Sequence, residues 1–312
     1  MIRRGHVFGS SVLIVCLGVH LACGGGSMPK TNPSPAPVVW NSQQNVTYGA
    51  ATTQYGTAQQ SLDVYQPPGR QGTAILPAIV FVHGGGWSGG DKADYTDLAK
   101  TFAQEGYVTF SVNYRLVWSA DMRYPVPYDD VQRAMRFIRT HASSYGIDPL
   151  RVGAIGGSAG GHLVGLLGTT DTRDNSDSTL ASVSSRATCV VDMFGPMDLM
   201  SPLPTTPENY DNMVLTLIGD TRANVPRTYQ EASPIDHIDA RTVPFLIFQG
   251  GQDPIVPPAQ SQGFHDALLK AGIESQLVIY PSEGHGFSDA SNNADCLRKI
   301  QTFFRNHLGT AR

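Results

Sequence analysis

The chain has 312 residues, 41% of them hydrophobic and 15% charged, which is enough for one large or two modest globular domains with ample core. Net charge is −4, and no basic block occurs beyond Arg3-Arg4. That balance argues against nucleic acid or an acidic surface as a partner.

At the N-terminus, Arg3 and Arg4 precede the apolar run VLIVCLGV at 12–19, far short of the ~20 residues that span a bilayer. A basic start, a short apolar centre and small residues before a break predict a cleaved secretory signal over 1–22. At that break Cys23 follows Leu21-Ala22, which resembles the bacterial lipoprotein signal, although His20 stands where that pattern prefers an apolar residue. The resemblance implies that Cys23 becomes a lipidated first residue and anchors the protein to a membrane. Gly24 in place of Asp, by resemblance to bacterial sorting signals, points to the outer membrane. The expectation is an exported bacterial protein, either an outer-membrane lipoprotein or a periplasmic or secreted one. Residues 23–45 are rich in Gly, Ser and Pro, cannot bury a core, and read as a tether.

From residue 46 to 312 the pattern is that of one folded domain. Residues 46–65 carry no helical period and are expected to supply an antiparallel start to a sheet. Short apolar runs at 78–82, 107–114, 151–156, 189–194, 245–249 and 275–280 read as strands. Between the second and third, Val131, Ala134, Met135 and Ile138 fall at i, i+3, i+4 and i+7, which predicts an amphipathic helix over 128–144. Asp129 and Asp130 suit its first turn and Gly146 lies near its end. Further helices are predicted at 259–271 and 293–307. Such alternation predicts an α/β fold, a mostly parallel central sheet with helices on both faces. Cys189 and Cys296, the two cysteines of the folded part, are compatible with a disulfide or with separate thiols.

In a sheet of this kind, function gathers at the carboxyl ends of the strands. The stretch GAIGGSAGGH contains Gly156-Gly157-Ser158-Ala159-Gly160, a G-x-S-x-G that closes one predicted strand and opens a helical pattern. That context marks a nucleophile elbow with Ser158 as nucleophile. A serine hydroxyl needs an adjacent base and the base an orienting acid, in the chain order Ser, acid, His. Of nine histidines, only His285, in YPSEGHGF, follows a late strand in a loop after both acid candidates. Those candidates are Asp253, in FQGGQDPIVP, and Asp198, in FGPMDL. Asp253 is favoured because glycines bend its loop back toward the histidine, and Asp198 is expected to cap a turn. The loop HGGGWSGGDK at 83–92 follows the strand at 78–82. Its glycines allow backbone N–H groups to reach a developing oxyanion. Gly85 and Gly86, with Gly84 as a further candidate, and Ala159 after the nucleophile are the expected donors. His83 is expected to brace this loop and Trp87 to wall the substrate pocket. The long segment 201–239 is expected to cover the pocket, with Leu203, Met213, Leu215 and Leu217 as candidate acyl-site residues or as helix packing.

Together HGGGWSGGDK, NYRL, GGSAGGHL, FGPMDL, GGQDPIVP and EGHGF resemble an α/β-hydrolase of the bacterial esterase group, closest to the family of feruloyl and acetylxylan esterases and related to the hormone-sensitive lipase group. The resemblance spans 46–308 and implies that Ser158, Asp253 and His285 form a triad. NYRLVWSAD lacks the Pro-Glu that follows Tyr-Arg-Leu in the lipase-like branch, and the stretch before residue 46 is expected to leave no room for that branch's large N-terminal cap; both departures favour the smaller, open-sited esterases. The same resemblance implies a serine esterase that uses no metal or cofactor and acts on a small-molecule or polysaccharide ester, acetyl or feruloyl. Alternatives are a general short-chain carboxylesterase or lipase-like enzyme, an arylformamidase-type amidohydrolase, and, from a different class, a non-catalytic hydrolase-fold binding module.

Overall fold

The computed structural model describes residues 41–53, 56–70, 74–173, 177–201 and 208–310. The signal 1–22, Cys23 and the tether up to residue 40 lie outside the described residues, as does Leu203.

The strands are β1 (Asn41–Thr53), β2 (Gly56–Gln66), β3 (Leu76–Val82), β4 (Val108–Val112), β5 (Ile147–Gly157), β6 (Val190–Met193), β7 (Phe245–Gly250) and β8 (Ser275–Tyr280). They form one eight-stranded sheet in the order β1-β2-β4-β3-β5-β6-β7-β8. β1 and β2 form an antiparallel hairpin and β2 joins β4 antiparallel, while every pair from β4 to β8 is parallel. β1 begins inside the stretch read as tether: Asn41, Ser42 and Gln43 pair with Gln66, Tyr65 and Val64. Polar composition hid this, because an edge strand buries little and owes its order to its partner's backbone.

The helices are α1 (Thr96–Gln104), α2 (Val126–Thr140), α3 (Ala142–Tyr145), α4 (Ala159–Thr169), α5 (Glu208–Ile218), α6 (Pro226–Glu231), α7 (Ala259–Lys270) and α8 (Ala290–Leu308). The helix predicted over 128–144 is therefore two, interrupted at His141 and ended by Gly146 in a left-handed conformation. Strand side chains alternate between two apolar layers. Ala78, Val80 and Val82 of β3 belong to the apolar layer shared with α2, α4, α5 and α7, whereas Ile79 and Phe81 belong to the layer shared with α1 and α8. Helices thus cover both faces, and the seven residues of β3 are buried throughout. Asp130 does more than favour a helix start. It is fully buried and takes the Arg115 backbone N–H and Nε–H, each at 2.8 Å, tying the loop after β4 to α2. Cys189 and Cys296 are separate buried thiols.

Candidate active site

β3 and β5 are parallel neighbours with Val82 opposite Gly156. Beyond these ends the chain diverges, from β3 toward α1 on one face and from β5 into α4 on the other. A crevice opens at such a reversal, and it brings HGGGW beside the G-x-S-x-G turn.

Ser158 has φ 55° and ψ −121°, a strained conformation that lifts its side chain off the end of β5. Its N–H donates to Met193 O at 2.8 Å and its carbonyl accepts the His162 N–H at 3.0 Å. A Cβ on Gly156 would stand 2.4 Å from Gly160, and one on Gly160 would stand 2.0 Å from Val82 O. The turn therefore closes only around two glycines.

His285 Nε2 lies 2.8 Å from Ser158 Oγ, and His285 Nδ1 lies 2.8 Å from Asp253 Oδ2. A carboxylate only accepts, so the imidazole proton belongs on Nδ1 and Nε2 faces the serine hydroxyl as acceptor. The Asp253 side chain is fully buried. It also accepts from Gln249 Nε2 at 3.1 Å, Ile255 N at 2.8 Å and Val256 N at 2.9 Å, which fixes its orientation. Its loop meets the histidine loop because β7 and β8 are neighbours: Gly251 N donates to Tyr280 O at 2.8 Å and Gln252 N to Glu283 O at 2.9 Å. Buried Glu283 in turn accepts from Ser288 N, Asp289 N and Asn292 Nδ2, and the Phe194 ring packs 4.8 Å from the His285 ring. Asp198 makes no contact with His285. Its Oδ1 caps a turn by accepting from Met200 N at 3.0 Å and Ser201 N at 2.8 Å.

Ser158 shares a small cavity with Gly86, Trp87, Ala159, Pro196, Tyr210, Met213 and Val256, with room for about one water molecule. Gly85 lies one residue behind this lining, at φ +107°, and its carbonyl accepts from Ser88 N and Gly89 N. Gly84 presses on the elbow itself, where an added Cβ would lie 2.8 Å from Gly157 O. Among the described residues, the amides of Gly85, Gly86 and Ala159 donate to no protein acceptor. His83 is buried, stacked on Tyr114 at 4.4 Å, with Nδ1 2.8 Å from Gly84 O, and burial pushes its imidazole pKa down.

Of the residues expected from the long segment, Met213 reaches the cavity. Leu215 is 38% exposed and Leu217 packs in the core, so neither lines it. Pro196, Tyr210 and Val256 escaped sequence reading because they arrive from distant points of two connections, Pro196 and Tyr210 between β6 and β7 and Val256 between β7 and α7. Tyr210 is the most informative of them, since its buried hydroxyl has no partner among the described residues.

A parallel sheet carrying a strained Ser–His–Asp site of this geometry defines an α/β-hydrolase. The chain belongs to the BD-FAE family, whose model matches residues 62–268. It is 31% identical over 252 residues to the probable carboxylic ester hydrolase LipM of Mycobacterium tuberculosis, covering 78% of this chain and 56% of that protein. The chain thus spans about half the length of the curated relatives it matches. Among solved structures, the thermophilic esterase Est2 of Thermogutta terrifontis superposes with TM-score 0.71 at 26% identity, covering 86% of this chain and 93% of its own. An acetyl ester-xyloside bifunctional hydrolase from Caldicellulosiruptor lactoaceticus gives 0.67 at 26% identity, covering 79% and 89% respectively.

Proposed function

We propose that this protein is a serine esterase that removes small acyl groups, acetyl above all, from carbohydrate or similar alcohols. The observation that carries the reading is the Ser158–His285–Asp253 chain, linked by two 2.8 Å contacts beside unengaged backbone amides. Ser158 Oγ attacks the ester carbonyl while His285 Nε2 takes its proton. The carbonyl oxygen becomes negative and is met by the N–H groups of Gly86 and Ala159, with Gly85 behind them. His285 then delivers the proton to the departing alcohol oxygen, leaving an acyl-serine. Water, deprotonated by the same nitrogen, releases the acid. Asp253 holds the Nδ1 proton and stabilises the imidazolium throughout.

Acyl size is the finer part of the reading. Space for about one water beside Ser158 favours an acetyl methyl over a bulkier acyl group such as a feruloyl ring. The names of the structural relatives, an acetyl ester-xyloside hydrolase among them, favour an acetylated polysaccharide alcohol. The test is kcat/KM on p-nitrophenyl acetate, butyrate and octanoate, with acetylated xylan and methyl ferulate in parallel. Acetate should lead octanoate by about 10-fold or more, since poor accommodation of several methylenes costs a few kcal/mol. Met213→Ala should narrow that ratio by enlarging the cavity. Faster turnover of octanoate or ferulate than of acetyl esters by the wild type would overturn the acyl assignment.

From the signal-like residues 1–22 and Cys23 we further propose that the enzyme acts outside the cytosol, tethered through a diacylated Cys23; one acyl chain alone gives only marginal anchoring. Fractionation of cells producing wild type and Cys23→Ser tests it. The variant should leave the membrane fraction or stay unprocessed while keeping esterase activity. A wild type wholly soluble in the periplasm or medium rules out lipidation.

A further inference from the structure

Trp87 occupies an awkward position. It follows Gly86 directly, has φ +58°, and so holds a large side chain in backbone space that is strained for a residue other than glycine. Something must hold it there. Its carbonyl accepts from Val117 N at 2.9 Å, and its indole Nε1–H donates to His162 Nδ1 at 3.2 Å. The two rings meet edge to face, with centroids 5.2 Å apart at 89°. His162 is fully buried on the first turn of α4, four residues after the nucleophile, and its own N–H binds Ser158 O. Its second ring nitrogen lies 2.7 Å from Ala232 O, at the end of α6.

These partners determine the tautomer. A carbonyl can only accept and an indole N–H can only donate, so the proton sits on Nε2 and the Nδ1 lone pair faces Trp87. Burial pushes this imidazole pKa down to about 4, which keeps it neutral and the lone pair available at ordinary pH. One side chain thereby joins the nucleophile's helix, the glycine loop, and the segment that follows β6.

We infer that His162 is the positioning residue of the oxyanion loop, setting the Gly85–Gly86 amides against Ser158 through its hydrogen bond to Trp87. It touches no reacting atom. Its effect passes through the loop backbone, where displacement by about 1 Å is enough to cost on the order of 100-fold in rate. The oxyanion is present only in the transition state and intermediate, so the loss falls on kcat rather than KM.

Asparagine and glutamine separate its two hydrogen bonds. The asparagine side-chain oxygen can take the place of Nδ1 and accept the indole proton, whereas the glutamine amide reaches only the place of Nε2 and serves Ala232. Four variants are compared with wild type: His162→Asn, His162→Gln, Trp87→Phe and the double variant Trp87→Phe/His162→Gln. Each is read by kcat and KM on p-nitrophenyl acetate, by thermal melting, and by amide hydrogen exchange of residues 83–92.

His162→Gln and Trp87→Phe should each lower kcat about 10- to 100-fold with KM within about 2-fold, and speed exchange in the loop. The double variant should be no slower than the slower single, because both remove one interaction. His162→Asn should stay within about 3-fold of wild-type kcat with the loop protected. Wild-type kcat and loop protection in folded His162→Gln would overturn the inference, as would single losses that multiply in the double variant. If His162→Gln does not fold, Trp87→Phe decides by the same two readouts. The kcat arm rests on the esterase reading, but the exchange arm does not: an inactive wild type overturns that reading while loop protection still reports on His162.

Discussion

Ser158→Ala should lower kcat by about four to six orders of magnitude while leaving the fold in place. In the proposed mechanism the hydroxyl is the attacking group, and nothing else within the cavity lining can replace it: Gly86, Ala159, Pro196 and Val256 carry no nucleophile, Met213 and Trp87 none of useful reactivity, and burial raises the pKa of the Tyr210 hydroxyl, which keeps it protonated. Structurally the change is small. Ser158 Oγ contacts His285 Nε2, and the strained φ of 55° is supported by main-chain bonds to Met193 and His162 that alanine keeps. The melting temperature should therefore move by only a few degrees. Steady-state kinetics and a thermal melt of the same preparation check both halves. More than a tenth of wild-type activity in the folded variant would remove Ser158 from its role.

Asp253→Asn should cost about 10⁴ in kcat, and the hydrogen bonds around the carboxyl say why. Oδ1 accepts from the main-chain N–H groups of Ile255 and Val256, so an asparagine must place its oxygen there. Its NH₂ then occupies the Oδ2 position, facing His285 Nδ1 and Gln249 Nε2. Donor meets donor, and His285 is driven to the tautomer that carries its proton on Nε2. In that form it cannot take the proton of Ser158. Asp198→Ala is the contrast: it removes the acceptor of two turn amides and should lower stability by about 1 kcal/mol with kcat nearly unchanged. Paired kcat and urea-midpoint measurements test the two. An inactive Asp198→Ala beside an active Asp253→Asn would reverse the assignment.

Much of this site was legible in the chain because its parts are local. G-x-S-x-G is readable since the elbow's tight closure excludes any Cβ at Gly156 and Gly160, a constraint set by a few bonds of backbone. The apolar runs marked β3 to β7 because strands buried on both faces have no polar side to show, and β8, a partly buried edge strand, still carries the apolar run LVIY. Asp253 and His285 followed from chain order, and their meeting depends on β7 lying beside β8, as sequential parallel strands usually do. The polar hairpin edge was harder. Nothing in the composition of Asn41–Asn45 distinguishes a tether from a strand whose backbone is ordered by its neighbour.

By itself, then, the sequence determined the fold class, the elbow, the order of the triad and the glycine-rich loop, because steric limits on short backbone segments write these into residue types at fixed spacing. Only the tertiary structure decided which side chains share the cavity with Ser158, and that His162, passed over as a base because it precedes both acids, bridges Trp87 and Ala232. Those contacts join positions 75 and 70 residues apart. Their existence depends on the packing of α4 beneath two loops and α6, a relation among elements to which no local pattern of residues corresponds.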